Sequence, residues 1–175
     1  MINPIFRNIM RMLFFILLQG LVVNRLDLFQ GMVLPSVYIF AILMLPLETP
    51  RLLLLFVGFA VGIGVDAFTN TLGMHTSACV LLAFLQPAIL RVLAPREGYE
   101  FGQRPTIQHL GLSWYLTYAA FATIIHHSWL FFIEAFSFEF FGHTLAKIFF
   151  STLATVFLMV LGQYLIFSPD QRKAT

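Results

Sequence analysis

The sequence predicts an all-α integral membrane protein, a six-transmembrane-helix bundle forming a single domain over residues 1–175. Three observations predict it. The 175 residues are 59% hydrophobic and 10% charged, with a mean hydropathy of +0.88, whereas a soluble domain carries about 25% charged residues. The charged residues divide the chain into apolar runs near the ~20 residues needed to cross a hydrocarbon layer of ~30 Å. Those runs, LLLLFVGFAVGIGV among them, lack the strict alternation that barrel strands require.

The spans fall at about 8–23, 32–47, 51–66, 74–93, 110–133 and 144–167. In the first, Arg7 and Arg11 precede an apolar stretch from Met12 to Val23, which imitates a secretory signal. Bulky Leu21, Val22 and Val23 stand where a cleavage site needs small residues, so this segment reads as an uncleaved helix. The second lies between Asp27 and Glu48, with Pro35 in its first turn. Pro46 and Pro50 in LPLETPR then make a tight reversal. The third begins at Arg51 and the fourth follows Gly73. The long polar connection 94–109 leads to the fifth, with His109 at its start, and the Phe-rich EAFSFEFFGH (134–143) joins the fifth to the sixth. Glu134 and Glu139 read as loop residues. Their segment either lies along the membrane surface with its rings among the headgroups or receives a partner's apolar segment.

Basic residues set the expected orientation. Arg7, Arg11, Arg51, Arg91, Arg96, Arg104, Arg172 and Lys173 fall on one side, and Arg25 and Lys147 on the other. Both termini and the 94–109 loop are therefore expected in the cytoplasm. A net charge of +2 argues against a nucleic-acid partner. Cys79, the lone cysteine, rules out an intramolecular disulfide.

Motifs that carry chemistry are missing. The sequence contains no GxSxG, HExxH or CxxC, and neither a P-loop nor a dinucleotide fingerprint. Neighbouring helical positions point about 100° apart, so His126 and His127 cannot both face one metal; buried hydrogen bonding or interfacial exposure suits them better. His75 and His143 belong near the outer interface. No enzyme activity, cofactor or metal is expected.

One apolar stretch carries an acid. If the third span continues past Val65, then Gly58, Gly62, Asp66 and Asn70 recur every four residues on one helix face, with Asp66 about 22 Å along the axis from Arg51. Gly58 and Gly62 permit close approach of another helix, while Gly62 and Gly64 around Ile63 add flexibility as well as packing. A mid-bilayer aspartate costs about 2.5–3.5 kcal/mol, so Asp66 needs partners, and Thr69, Asn70, Thr71, His75 and free backbone N–H groups lie within reach. Two roles fit. Asp66 is either the polar floor of a cavity or partner groove, or a loop-forming acid that caps the fourth helix.

Residues 34–100, from LPSVYIFAILMLPLETPR through GFAVGIGVDAFTNTLGMH to APREGYE, resemble the central part of the bacterial rod shape-determining protein MreD family. The family pattern is met by Pro35, Pro46 and Pro50, by Gly58, Gly62 and Asp66, and by Gly73; IHHSWLFFIEAFSF is similar to the version in some of its branches. The resemblance implies a fold similar to the substrate-binding subunit of energy-coupling-factor transporters, without carrying over that function. It implies a non-enzymatic subunit of the cell-wall elongation machinery in the bacterial inner membrane, helping to maintain cell shape. Its partner would be MreC, a single-span protein, and through it the MreB filament and the peptidoglycan polymerase and transpeptidase. On that expectation Gly58, Gly62, Gly64, Asp66, Asn70, Gly73 and His75 form the partner-binding set, and Arg91, Arg96 and Arg104 a cytoplasmic docking point, for which a solvated positive loop is the alternative. A solute-binding subunit of a vitamin-type transporter is the rival function.

Overall fold

Apolar stretches become long helices here where no proline-rich turn interrupts them, and five do so among the described residues. The computed structural model describes residues 4–26, 28–71, 73–136 and 141–166. In chain order it contains α1 (Pro4–Leu21), a 3-10 turn at Val23–Arg25, α2 (Ile39–Leu43), α3 (Arg51–Thr69), α4 (Met74–Val92), α5 (Ile107–Leu110), α6 (Leu112–Ala135) and α7 (Phe141–Ile166). The helices at Phe6–Arg25, Arg51–Thr69, Met74–Val92, Leu112–Ala135 and Phe141–Leu165 are long and apolar enough to cross a membrane. Phe56, Phe84, Phe121 and Phe157 are more than half exposed, while Thr123, His126, His127, Ser151 and Thr155 are wholly enclosed. Apolar outside and polar inside is the distribution that lipid, not water, rewards. The chain is a multi-pass helical membrane protein.

The second expected span is corrected. Residues 32–47 form no long helix: Val33–Ser36 carry no regular structure, and only the five residues of α2 are α-helical. Tyr38 to Met44 are at most 1% exposed, so this segment is the centre of the core. Irregular backbone survives at membrane depth only when protein surrounds it and meets its polar groups, and side chains do so here. The N–H of Leu34 donates to Ser151 Oγ at 2.9 Å, that of Ser36 to Thr155 Oγ1 at 3.0 Å, and that of Val37 to Gln19 Oε1 at 2.8 Å. Gln19 Nε2 returns a bond to Pro35 O at 3.0 Å. Pro35 has no N–H to offer a helix, and hydropathy alone cannot distinguish such a buried coil from a span.

The α3–α4 hairpin is the tightest pairing. A Cβ on Gly58 would sit 2.8 Å from Cys79 O and 2.9 Å from Ala83 Cβ, and one on Gly62 would sit 2.8 Å from the Thr76 nitrogen. Gly64 turns elsewhere, towards Ile16 of α1, where a Cβ would meet its Cδ1 at 3.0 Å. Small residues thus let α3 lie against α4 on one side and α1 on another. Helix α3 ends at Asn70, whose left-handed φ of 58° reverses the chain.

Two further expectations change. Glu134 is in the last turn of α6, not a loop, and pairs at 2.9 Å with Lys147 of α7. Glu139 lies outside the described residues, as do Asp27, Arg172 and Lys173. His109 lies in the short α5, which Gly111 (φ 84°) separates from the long α6.

Substituting Gly62 by Val, or Gly58 by Val, is expected to lower stability by about 1–3 kcal/mol through overpacking. Thermal unfolding in detergent checks this, with Gly142→Ala as the neutral control, since nothing lies within 4 Å of the methyl it would add.

Candidate functional site

Asp66 sits one turn before the end of α3, and the chain returns through Thr71 and Gly73 (φ 82°) so that α4 starts beside it. Gly73 has no side chain to cap that helix, and the acid of the preceding helix takes the role. Oδ1 accepts from Thr71 Oγ1 at 2.5 Å and from the His75 N–H at 3.1 Å. Oδ2 accepts from the Thr76 N–H at 2.9 Å and from Thr76 Oγ1 at 2.5 Å. Those two N–H groups are among the four that a helix start leaves unpaired, and a negative charge complements their dipoles. With four donors and 6% exposure, the carboxylate has no lone pair directed at a cavity. Of its two possible roles, the geometry is that of the cap.

The other sequence-predicted residues separate into groups. Gly58 and Gly62 are buried against α4, and Gly64 faces α1. Asn70 and Gly73 are exposed and contribute backbone conformation. His75 alone of the set presents a ring to an opening. Arg91 and Arg96 are exposed and Arg104 is half-buried, its pKa lowered by burial and then by Arg7; they do not form one patch with the Asp66 group, since α4 runs between them.

Sequence analysis missed the centre of the site, Tyr38. Its hydroxyl lies 2.8 Å from His75 Nδ1 and 3.1 Å from His126 Nε2, joining α2, α4 and α6. Cys79 Sγ is 3.9 Å from the same His126 nitrogen and wholly buried. His127 turns the other way, to Ser36 Oγ at 3.1 Å and Thr152 Oγ1 at 3.3 Å, and stacks on Phe131. The neighbouring histidines therefore diverge, as helix geometry requires, and both serve buried hydrogen bonding. A signal was available for α7: Thr144, Ser151 and Thr155 fall on one face of an apolar helix and are all buried.

Above this layer opens a crevice of about 250 Å³ whose polar lining includes Gln19, Asn24, Ser36, Thr71, His75 and Glu134. Leu34, Met74 and Phe131 supply its apolar wall, and Lys147 Nζ stands 4.7 Å from the Phe131 ring. Since Tyr38 engages Nδ1 of His75, Nε2 is the nitrogen left to the crevice. Ser36 and His127 meet as a nucleophile and base would, but the third partner is the hydroxyl of Thr152, which supplies no negative charge to an imidazolium. Among the described residues no group of three or more His, Cys, Asp or Glu side chains could hold a metal ion.

On the lipid-facing side, a groove of about 680 Å³ runs along α6, lined by Ile125, Ser128, Trp129, Phe132 and Phe136 among others, with Leu81 of α4 at its edge. Trp129 Nε1 donates to Ser77 Oγ at 3.2 Å, fixing its ring at the groove edge.

No family model, no curated protein and no solved structure matches this chain.

Replacing Asp66 by Ala strands two backbone N–H groups and the Thr76 hydroxyl, while Thr71 Oγ1 keeps Thr69 Oγ1 at 2.7 Å, and is expected to cost about 1–3 kcal/mol. Melting of the purified protein should fall accordingly, with Asp66→Asn intermediate because an amide oxygen still accepts.

Proposed function

We propose that the chain is a non-enzymatic scaffold of the bacterial cell-wall elongation machinery that holds the membrane helix of MreC, as the MreD-like pattern of residues 34–100 implies. The observation that carries this reading is the apolar groove along α6, edged by Leu81 of α4. An apolar channel beside a rigid helix pair suits a single transmembrane segment, because helices associate in lipid through close packing and not through water exclusion. Its aromatic end at Phe132 and Phe136 reaches the start of the 134–143 stretch, for which receiving a partner's apolar segment was one of the two expected roles. In this reading Asp66, Gly58 and Gly62 act indirectly, by fixing α4, which sets Leu81 at the groove edge. The orientation follows the arginines: Arg7, Arg51, Arg91 and Arg104 face the cytoplasm, with the protein in the inner membrane. The MreB filament and the peptidoglycan polymerase and transpeptidase would then be reached through MreC.

A photo-crosslinking residue at Ile125 or Phe132 is expected to capture MreC in cells, and one at Phe157, on α7, to capture none. Ile125→Trp should lower MreC co-purification severalfold at unchanged abundance. Equal capture at all three positions would sink the reading.

The polar crevice above Tyr38 favours a second reading, a solute-binding subunit of a vitamin-type transporter. A cavity of about 250 Å³ with His75, Gln19 and Asn24 in its wall has the mixed lining of a small-molecule site. Mass spectrometry of gently purified protein checks it: one stoichiometric vitamin would displace the scaffold proposal, and its loss in His75→Ala would locate the site.

A further inference from the structure

The hydrogen bonds around the crevice above Tyr38 fix which of its polar atoms donate and which accept. Backbone groups decide the orientation of the Gln19 amide. The N–H of Val37, which can only donate, meets Oε1 at 2.8 Å, and the carbonyl of Pro35, which can only accept, meets Nε2 at 3.0 Å. The same Nε2 donates to Asn24 Oδ1 at 2.6 Å. Asn24, in the 3-10 turn after α1, therefore has its carbonyl engaged and its NH2 left to the crevice.

Tyr38 decides a second donor. Its hydroxyl has one proton and two imidazole neighbours, His75 Nδ1 at 2.8 Å and His126 Nε2 at 3.1 Å. With neutral rings, it gives that proton to one and accepts from the other. Were His126 the acceptor, the proton of that ring would stand on Nδ1, which is buried without a partner. A buried N–H lacking an acceptor is rarer in proteins than an under-used acceptor. The distances agree, since bonds from O–H run shorter than bonds from N–H. Tyr38 thus donates to His75 Nδ1, and His75 carries its proton on Nε2. That nitrogen makes no hydrogen bond among the described residues and, unlike the sealed Nδ1 of His126, opens on the crevice.

The two donors converge because their anchors are neighbours in the chain. Gln19 is bonded to Val37 and His75 to Tyr38, and both relays end in one crevice of about 250 Å³. Acceptors share the space. Thr71 spends its proton on Asp66, so its oxygen can only accept, and Glu134 gives Oε2 to Lys147 and keeps Oε1. Charge narrows the choice further. Two carboxylates, Asp66 and Glu134, stand beside the crevice against the one cation Lys147, so an anion is opposed; a cation would meet two N–H donors. A neutral group with a carbonyl for the donors and an N–H for Thr71 or Glu134 answers both sets, and an amide is such a group. Leu34, Met74 and Phe131 would take its apolar remainder.

We infer that the crevice binds a small neutral amide, its carbonyl oxygen held by His75 Nε2–H and Asn24 Nδ2–H, with Tyr38 the residue that makes His75 a donor. The inference rests on the reading that the crevice receives a solute, and it names the class of that solute.

Isotopic labelling of the histidine nitrogens in the full chain, followed by NMR in detergent, reads the tautomer, with His75→Gln assigning the resonance. The His75 proton is expected on Nε2, and Tyr38→Phe should populate the Nδ1–H form. Titration with pyrrolidinone, a lactam, should shift the Nε2–H signal saturably, whereas acetate and guanidinium should not. Asn24→Ala, at an exposed position, should weaken the lactam severalfold, to about tenfold, the effect of one neutral hydrogen bond. A proton on His75 Nδ1, a response to acetate or guanidinium equal to the lactam's, no saturable shift with the lactam, or undiminished affinity in Asn24→Ala would each overturn the assignment. A carboxylate or a cation retained stoichiometrically by the purified protein would overturn it while leaving the solute reading in place; protein that retains nothing and binds no lactam would end both.

Discussion

The bundle depends on one constraint: backbone that crosses hydrocarbon outside a helix must have its hydrogen bonds supplied by something else. Residues 34–37 are such backbone, and their partners are Gln19 on α1 and Ser151 and Thr155 on α7. Those side chains are more than local repairs. Each fixes where its own helix stands, since a neutral hydrogen bond left unmade in an apolar interior costs several kcal/mol. The arrangement of α1, α2 and α7 follows from that requirement, and Tyr38, which α2 brings to the axis, extends it to α4 and α6.

A different economy governs the α3–α4 pair. Contact there is backbone against backbone, made possible by absent side chains at Gly58 and Gly62 and ended by a charged cap at Asp66. The glycines set distance and the acid sets where the hairpin turns. Neither would suffice alone, because close helices without a cap leave bare N–H groups in a half-buried turn, and a cap without close helices could not reach them. The result is a helix pair whose turn lines the crevice through Thr69, Thr71, Met74 and His75.

Much of this was legible in the residues. The membrane class follows from composition, and the starts of α3 at Arg51 and of α4 after Gly73 were read from the residues, whereas the end of the third span, set at about residue 66, falls at Thr69 in the structure. The capping role of Asp66 was one of two open possibilities, and Thr71, His75 and free backbone N–H groups were among its expected partners. The buried coil at 33–38 was not legible, because apolar character says that a segment avoids water and not whether protein or lipid replaces it. Tyr38 was missed for a related reason: its partners lie 37 and 88 positions away in the chain, and no local pattern announces a bond of that span. The polar face of α7 was a readable clue, since an otherwise greasy helix with Ser and Thr on one side has to hide that side.

Cys79 shows what such enclosure means for the molecule's chemistry. Its sulfur is sealed between α3, where Gly58 approaches its carbonyl, and the imidazole of His126. Alkylating reagents and oxidants meet this thiol only in a chain whose helices have come apart. The lone sulfhydryl is in effect a tamper seal, intact for as long as the bundle is.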